Sequence, residues 1–204
     1  MNIGAAILVG DTNRRQDKSD GDNSETHGLP IIRRTLTTLE SLFDEIIIIN
    51  DGIEKYPNNS YHIRIVNNRL KGLGSLGSLY TALCETRCEA VFLLAWDRPF
   101  FSRKAVGYQL RYFDRISCEA LVTRIGGCLE PLHAIYDRSL RKALFRYLQR
   151  SADLSVGDFL STVDVRVIDL ADDDYHRAIR SDFDGATRIN DVHGVNTRHR
   201  PEPI

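Results

Sequence analysis

Short apolar runs alternate with amphipathic stretches along most of this chain. The first run, over 3–9, is continuous and closes at Gly10, the pattern of a strand buried on both faces. The chain then stays polar from Asp11 to His27, and a loop longer than about 12–15 residues is usually functional or disordered. Pro30 suits the first turn of a helix, and Ile31, Leu36, Leu39, Leu42 and Phe43 supply its apolar face. A second strand is predicted over 43–50, stopped by Asn50-Asp51-Gly52, and a third over 63–66. A glycine-rich segment follows and opens a helix to about residue 84. The fourth strand, 90–95, ends in Trp96-Asp97-Arg98-Pro99. Next come a helix over 103–114, a strand over 120–123, a turn at Gly126-Gly127 and a returning strand over 129–136. A helix over 139–149 and a last strand near 163–168 complete the series, and residues from about 194 form a frayed tail.

Strands alternating with helices predict an α/β fold, with a mostly parallel sheet covered on both faces and a single domain over 1–193 followed by a flexible tail over 194–204. Ligands on such sheets bind beyond the carboxyl ends of the strands. Here those ends are Gly10, Asn50, Asn68 and Asp97, four small or polar positions expected on one rim.

Composition narrows the partners. The 204 residues carry 27 Lys and Arg against 28 Asp and Glu, a formal charge of −1, so no global basic field draws the chain to nucleic acid or anionic lipid. Hydrophobic residues at 42% and charged residues at 27% exclude a disordered or fibrous chain. No apolar run approaches the roughly 20 residues that span a bilayer, and the N-terminus lacks a secretory pattern. The four cysteines, Cys84, Cys88, Cys118 and Cys128, lack metal-knuckle spacing and read as buried, reduced thiols. A cytoplasmic location is expected.

Asp97 is the leading candidate for chemistry. A carboxylate directly after an apolar strand is costly unless it meets solvent or a cation, and Mg2+ favours one or two carboxylates plus substrate phosphates. Its other reading is a cap for the following helix. The segment Lys71-Gly72-Leu73-Gly74-Ser75-Leu76-Gly77-Ser78 either reverses the chain or presents backbone N–H groups to an anion. Asn50 and Asn68 could read a base or ribose, or simply end strands. His133 is expected to be a hydrogen-bonded core histidine, and the other five histidines have no metal-ligand spacing.

In order, these segments resemble the molybdenum cofactor guanylyltransferase family of Rossmann-like nucleotidyltransferases. That family opens with Leu-Ala-Gly-Gly-x-Ser-x-Arg, an Asp-Lys pair and a Gly-Lys-Pro-Leu step. Here stand Leu8-Val9-Gly10-Asp11-Thr12-Asn13-Arg14-Arg15, Asp17-Lys18 and Gly28-Leu29-Pro30-Ile31. Its Gly-x-Gly-Pro-Leu-Ala-Gly is similar to 72–78, and its Asp-Met-Pro to Asp97-Arg98-Pro99. Its Pro-Leu-x-Ala-x-Tyr-x-x-Ser-Leu is met by Pro131-Leu132-His133-Ala134-Ile135-Tyr136-Asp137-Arg138-Ser139-Leu140, and a terminal Asn-rich step by Arg188-Ile189-Asn190-Asp191. The departures fall on the chemistry: Asp11 replaces a glycine, Asn68 replaces an acidic residue, and residues 19–26 form a polar insert.

The resemblance implies a three-layer Rossmann-like nucleotidyltransferase fold and GMP transfer from GTP to Mo-molybdopterin. It places the nucleotide against Leu8, Val9, Gly10, Asn50 and Asn68, gives Lys18 (with Lys71 as second choice) to the triphosphate, and makes Asp97 the Mg2+ ligand. It also implies molybdoenzymes or cofactor-handling proteins as partners. Two alternatives stand beside it. One is a transferase using CTP. The other is a catalytically silent relative that binds a nucleotide or partner without turnover, motivated by Asp11, since a carboxylate about 4 Å from a phosphate charge costs on the order of 1–4 kcal/mol.

Overall fold

The computed structural model describes residues 1–9, 33, 35–50, 62–96, 102–150, 155–170 and the backbone of 186–188. Its elements are β1 (Ile3–Val9), α1 (helical at 33 and 35–40), β2 (Ile46–Asn50), β3 (Ile63–Asn67), α2 (Gly74–Glu85), β4 (Ala90–Ala95) and α3 (Arg103–Phe113). They continue with β5 (Ala120–Ile125), β6 (Cys128–Asp137), α4 (Leu140–Arg150), α5 (Val156–Leu160), β7 (Val165–Leu170) and β8 (Ala186–Arg188). The tail expected over 194–204 lies outside the described residues.

The strands form one sheet in the order β3-β2-β1-β4-β6-β5-β7-β8. β6 and β8 run against the other six, so the sheet is mostly parallel, as the alternating pattern predicts. The central strands β1, β2 and β4 are apolar and buried almost throughout, because helices cover both of their faces. β3, at the edge, alternates between buried and open positions.

Side-chain parity sorts the core into two layers. Ile7, Ile48 and Phe92 face α1 and α3 through Leu39, Val106 and Phe113. Ala6, Ile47 and Leu93 face α2, α4 and α5 through Leu79, Leu83, Leu144 and Phe159. This is the expected three-layer α/β architecture. Among the described residues no helix is long and apolar enough to cross a membrane.

Several boundaries differ from those read in the sequence. The strand expected from residue 43 begins at Ile46, because the Phe43 N–H donates to the Leu39 carbonyl at 2.9 Å and ends the turn after α1. The β5–β6 hairpin is longer than expected and carries an irregularity after Val122, where pairing jumps from Ala134 to Glu130. Pro131, which has no N–H to give a ladder, sits in that gap, and its carbonyl accepts the Tyr136 hydroxyl at 2.7 Å. Complete burial pushes the Tyr136 phenol well above its ordinary pKa. Two short elements escaped the pattern. α5 is five residues long, capped by Ser155, whose Oγ accepts the Asp158 N–H at 2.9 Å; β8 is three residues long.

At the end of the strands opposite the candidate rim, Glu45 knits four segments together. Its carboxylate accepts from Thr86 Oγ1 at 2.7 Å, from the Arg87 N–H at 3.0 Å and from Arg64 at 3.2 Å. Gly4 leaves the room for this: a Cβ there would stand 2.9 Å from Glu45 Oε2. Burial opposes ionisation, but the hydrogen bonds from Thr86, Arg87 and Cys88 and the Arg64 charge outweigh it and hold the Glu45 carboxyl below its ordinary pKa. Glu45→Ala is expected to cost about 1–3 kcal/mol, because buried donors lose their acceptor. That corresponds to a melting point lower by about 2–10 °C in a domain of this size. A carboxyl with a depressed folded pKa contributes stability above its unfolded pKa and loses it as pH falls through the folded one. The gap in melting point between wild type and Glu45→Gln should therefore be full at pH 7 and close below about pH 4 in thermal scans; a gap unchanged with pH would contradict the network.

Candidate functional site

The strand registers bring four carboxyl ends level. Val9 pairs with Asn50, Asn50 with Asn67, and Leu8 with Ala95, so β1 to β4 open onto one rim. Leu8 and Val9 point into opposite core layers, which leaves only their backbone for a ligand. The Leu8 carbonyl already accepts the Trp96 N–H at 3.1 Å. Asn50 is buried at the end of β2, and its carbonyl accepts the Asn68 N–H at 3.3 Å. The chain leaves β1 at Val9 and β4 at Trp96, side by side; Gly10, Lys18 and Asp97, expected beyond those exits, lie outside the described residues.

Asn68 does more for the fold than its sequence reading assigns. Its Nδ2 donates to Ser78 Oγ at 3.1 Å, and its Oδ1 accepts the Leu70 N–H at 3.2 Å and the Thr81 hydroxyl at 2.9 Å. Thr81 Oγ1 in turn accepts the Arg69 N–H at 2.9 Å and lies 2.8 Å from the Gly77 carbonyl. Buried to 5% exposure, the amide fastens the turn after β3 onto the first turns of α2. A buried amide must find such partners, because leaving one unpaired costs about 1–3 kcal/mol.

The glycines complete this clamp. A Cβ on Gly77 would stand 2.4 Å from the Leu70 carbonyl oxygen, a backbone atom with no freedom to yield. Gly72 and Gly74 take φ of +83° and +52°, the left-handed region that side chains avoid. The result is a helix start with an unusual electrostatic character. The Leu73 cap has no side-chain hydrogen bond to give, and the first turn holds no acid. The first intrahelical bond runs from the Gly77 N–H to the Leu73 carbonyl at 3.2 Å, so the N–H groups of Gly74, Ser75 and Leu76 point out of the helix end. They border a cleft of about 330 Å³ lined by Gly72, Leu73, Gly74, Ser75, Leu76 and Val156. The helix dipole makes this a place for electronegative atoms. Lys71 is exposed in the adjoining turn. The glycine segment reverses the chain, and that reversal leaves three N–H groups outside the helix ladder.

Val156 is the wall residue that sequence reading missed. It comes from α5, about eighty residues after the glycine turn, and its only local signal is the Ser155-x-x-Asp158 capping pattern. His133 takes its expected place in the core, 3% exposed, with its ring edge-on to Phe92 at 5.3 Å. The thiols need a correction. Cys88 is buried, but Cys84 and Cys118 are only half-buried, and Cys128 is exposed because it opens β6 just after the hairpin turn. Burial pushes the Cys88 and Cys118 thiols up to about 11 and about 12, so both stay protonated and poorly nucleophilic near neutral pH. Among the described residues no group of three His, Cys, Asp or Glu could hold a metal ion.

Residues 5–163 match the family described as the MobA-like NTP transferase domain. A relative from Natranaerobius thermophilus, named "Probable molybdenum cofactor guanylyltransferase", is 26% identical over 84% of this chain and 82% of its own length. A relative of the same name from Thermococcus gammatolerans is 33% identical over 70% of this chain and 73% of its own. The solved structure of molybdopterin-guanine dinucleotide biosynthesis protein A from Archaeoglobus fulgidus superposes with a TM-score of 0.62, covering 81% of this chain and 83% of that one at 19% identity. A parallel sheet edge opening beside a glycine-shaped helix start, and a family match spanning most of the chain, lead to one conclusion: this protein belongs to the MobA-like NTP transferases and is a nucleotidyltransferase.

Proposed function

We propose that this nucleotidyltransferase moves GMP from GTP onto the terminal phosphate of Mo-molybdopterin, forming molybdopterin guanine dinucleotide. The relatives' names support the acceptor and product. The observation that carries the choice of base is the lining of the cleft at α2. It offers backbone N–H donors from Gly74, Ser75 and Leu76 between Leu73 and Val156. Guanine presents two acceptors, O6 and N7, on one edge, whereas adenine and cytosine place an amino donor there. A row of backbone donors suits the O6/N7 edge of guanine, and Leu73 and Val156 suit its ring faces. Asn68 acts through the loop it holds, not by reading the base.

The triphosphate then extends toward the exits of β1 and β4, with Lys71 in the exposed turn on the glycine side; the charge that neutralises its oxygens is assigned to Lys18, on the family pattern in the sequence. A terminal phosphate oxygen of Mo-molybdopterin attacks the α-phosphorus in line. A new P–O bond forms, the bond from the α-phosphorus to the bridging oxygen breaks, and pyrophosphate leaves with that electron pair. Such a transfer needs alignment and charge stabilisation but no protein nucleophile. Asp97, a single carboxylate following an apolar strand, matches the sparse donor set that Mg2+ takes beside substrate phosphates; it would hold the ion, which would supply charge neutralisation for the triphosphate.

Two substitutions test the scheme. Gly77→Ala pushes the 68–73 turn off the helix start, at a cost of about 1–3 kcal/mol in stability. Titration calorimetry should show GTP affinity reduced at least tenfold in the folded variant, and unchanged affinity would remove the cleft from the nucleotide site. Asp97→Ala should lower GTP-dependent dinucleotide formation at least a hundredfold while GTP still binds in the absence of Mg2+. Equal turnover in wild type and Asp97→Ala would contradict the assignment. Tight GTP binding by the wild type with no turnover would mark the silent-relative reading that Asp11 motivates.

A further inference from the structure

Below the rim, on the outer surface of α2 and α4, lies a groove of about 430 Å³ lined by Tyr80, Arg141, Lys142, Phe145 and Arg146. Tyr80 stands six residues along α2 from Gly74, about 9 Å down the helix axis, so this groove is separate from the nucleotide cleft. Its floor is aromatic: the rings of Tyr80 and Phe145 stack with centroids 5.8 Å apart. Phe145 is 43% exposed, while the apolar face of α4 is already served by Leu140 and Leu144 in the core.

Charge on this face runs against local preference. α4 carries Arg141, Lys142, Arg146 and Arg150 and not one carboxylate, although the whole chain is at −1. Arg141 and Lys142 stand in the first turn, where the helix dipole disfavours cations. Glu85 on neighbouring α2 is committed to Arg69 at 2.6 Å and to Arg64 at 3.7 Å. Among the described residues no carboxylate forms an ion pair with Arg141, Lys142 or Arg146. First-turn cations that the helix dipole disfavours, beside a half-buried Tyr80 and an exposed Phe145, are the complement of an acidic surface with an apolar centre.

We propose that the α2–α4 face is a docking surface for an acidic segment of a partner polypeptide, whose carboxylates meet Arg141, Lys142 and Arg146 while an apolar side chain packs on Tyr80 and Phe145. Aromatic and arginine side chains are the residue types that anchor protein interfaces. The basic patch spans one helix face on a chain without net positive charge, which is too short a track for a nucleic-acid backbone.

The test uses the full chain and labelled twelve-residue peptides with a central Leu-Phe pair flanked by Glu, by Gln or by Lys, and a Glu-flanked control with Ser-Gly at the centre. At low salt the Glu-flanked Leu-Phe peptide should bind at least tenfold tighter than the Gln-flanked or Ser-Gly peptides, and weaken as salt rises. The double variant Arg141→Glu/Arg146→Glu should reverse the preference to the Lys-flanked peptide, and Phe145→Ser should weaken the Glu-flanked one at least fivefold. Phe145 and Arg146 are exposed and Arg141 is half-buried, and both variants should stay folded with wild-type GTP affinity. Equal binding of acidic and neutral peptides, or a preference untouched by charge reversal, overturns the proposal. So does tighter binding of a 20-base-pair duplex or of phosphatidylserine vesicles to the same face, which would assign it to nucleic acid or lipid.

Discussion

The contact between Gly77 and the Leu70 carbonyl is the constraint on which the candidate site depends. α2 can begin where it does only because no side chain stands between its first turn and the 68–73 segment. The buried Asn68 amide, held by Ser78, Thr81 and the Leu70 N–H, keeps the two in register. Backbone donors at a helix start cost nothing to orient at the moment of binding, because the fold has already oriented them. Here that orientation comes from Asn68 and Leu70 of one turn and from Gly77, Ser78 and Thr81 of the helix that follows, with the parallel strands β1 to β3 bringing the rim alongside.

The distribution of charge follows from the same layout. At the rim the helix end and the exposed Lys71 favour electronegative groups, and no first-turn acid offsets them. At the opposite end of the strands, Glu45 gathers Arg64, Thr86 and Arg87 into a network that ties β1, β2, β3 and the end of α2 together, with the Arg64 Nε left unpartnered. Between them, on the flank of α2, Arg141, Lys142 and Arg146 have no ion pair among the described residues. One helix thus borders three environments: a donor-lined cleft at its start, a basic aromatic groove along its side and an ion-pair network at its end.

Much of the fold was legible in the sequence because central parallel strands have a simple signature. The runs Ile3–Val9, Ile46–Asn50 and Ala90–Ala95 are continuous and apolar, since both of their faces are covered. What escaped was short or non-local. α5 and β8 are too brief to show a period, and Phe43 sits next to a strand-like run although its N–H closes a helical turn. The position of Asn68 on the rim was readable, but its role was not: its partners lie 10 and 13 residues further on, and only the folded turn shows which way the amide faces. Val156 joins the cleft from another part of the chain altogether. The exposure of Cys128 depends on where a hairpin turn falls, which residue type alone does not convey.

The central claim is that the exposed amides at the start of α2 receive the guanine of GTP. A 1H–15N correlation spectrum of the uniformly labelled chain, titrated with GTP and separately with ATP, tests it at the atoms concerned. The account predicts that the Gly74, Ser75 and Leu76 amide signals shift furthest downfield with GTP and respond several-fold less to ATP. Equal shifts for both nucleotides, or GTP-induced shifts that leave these three amides in place, would contradict it.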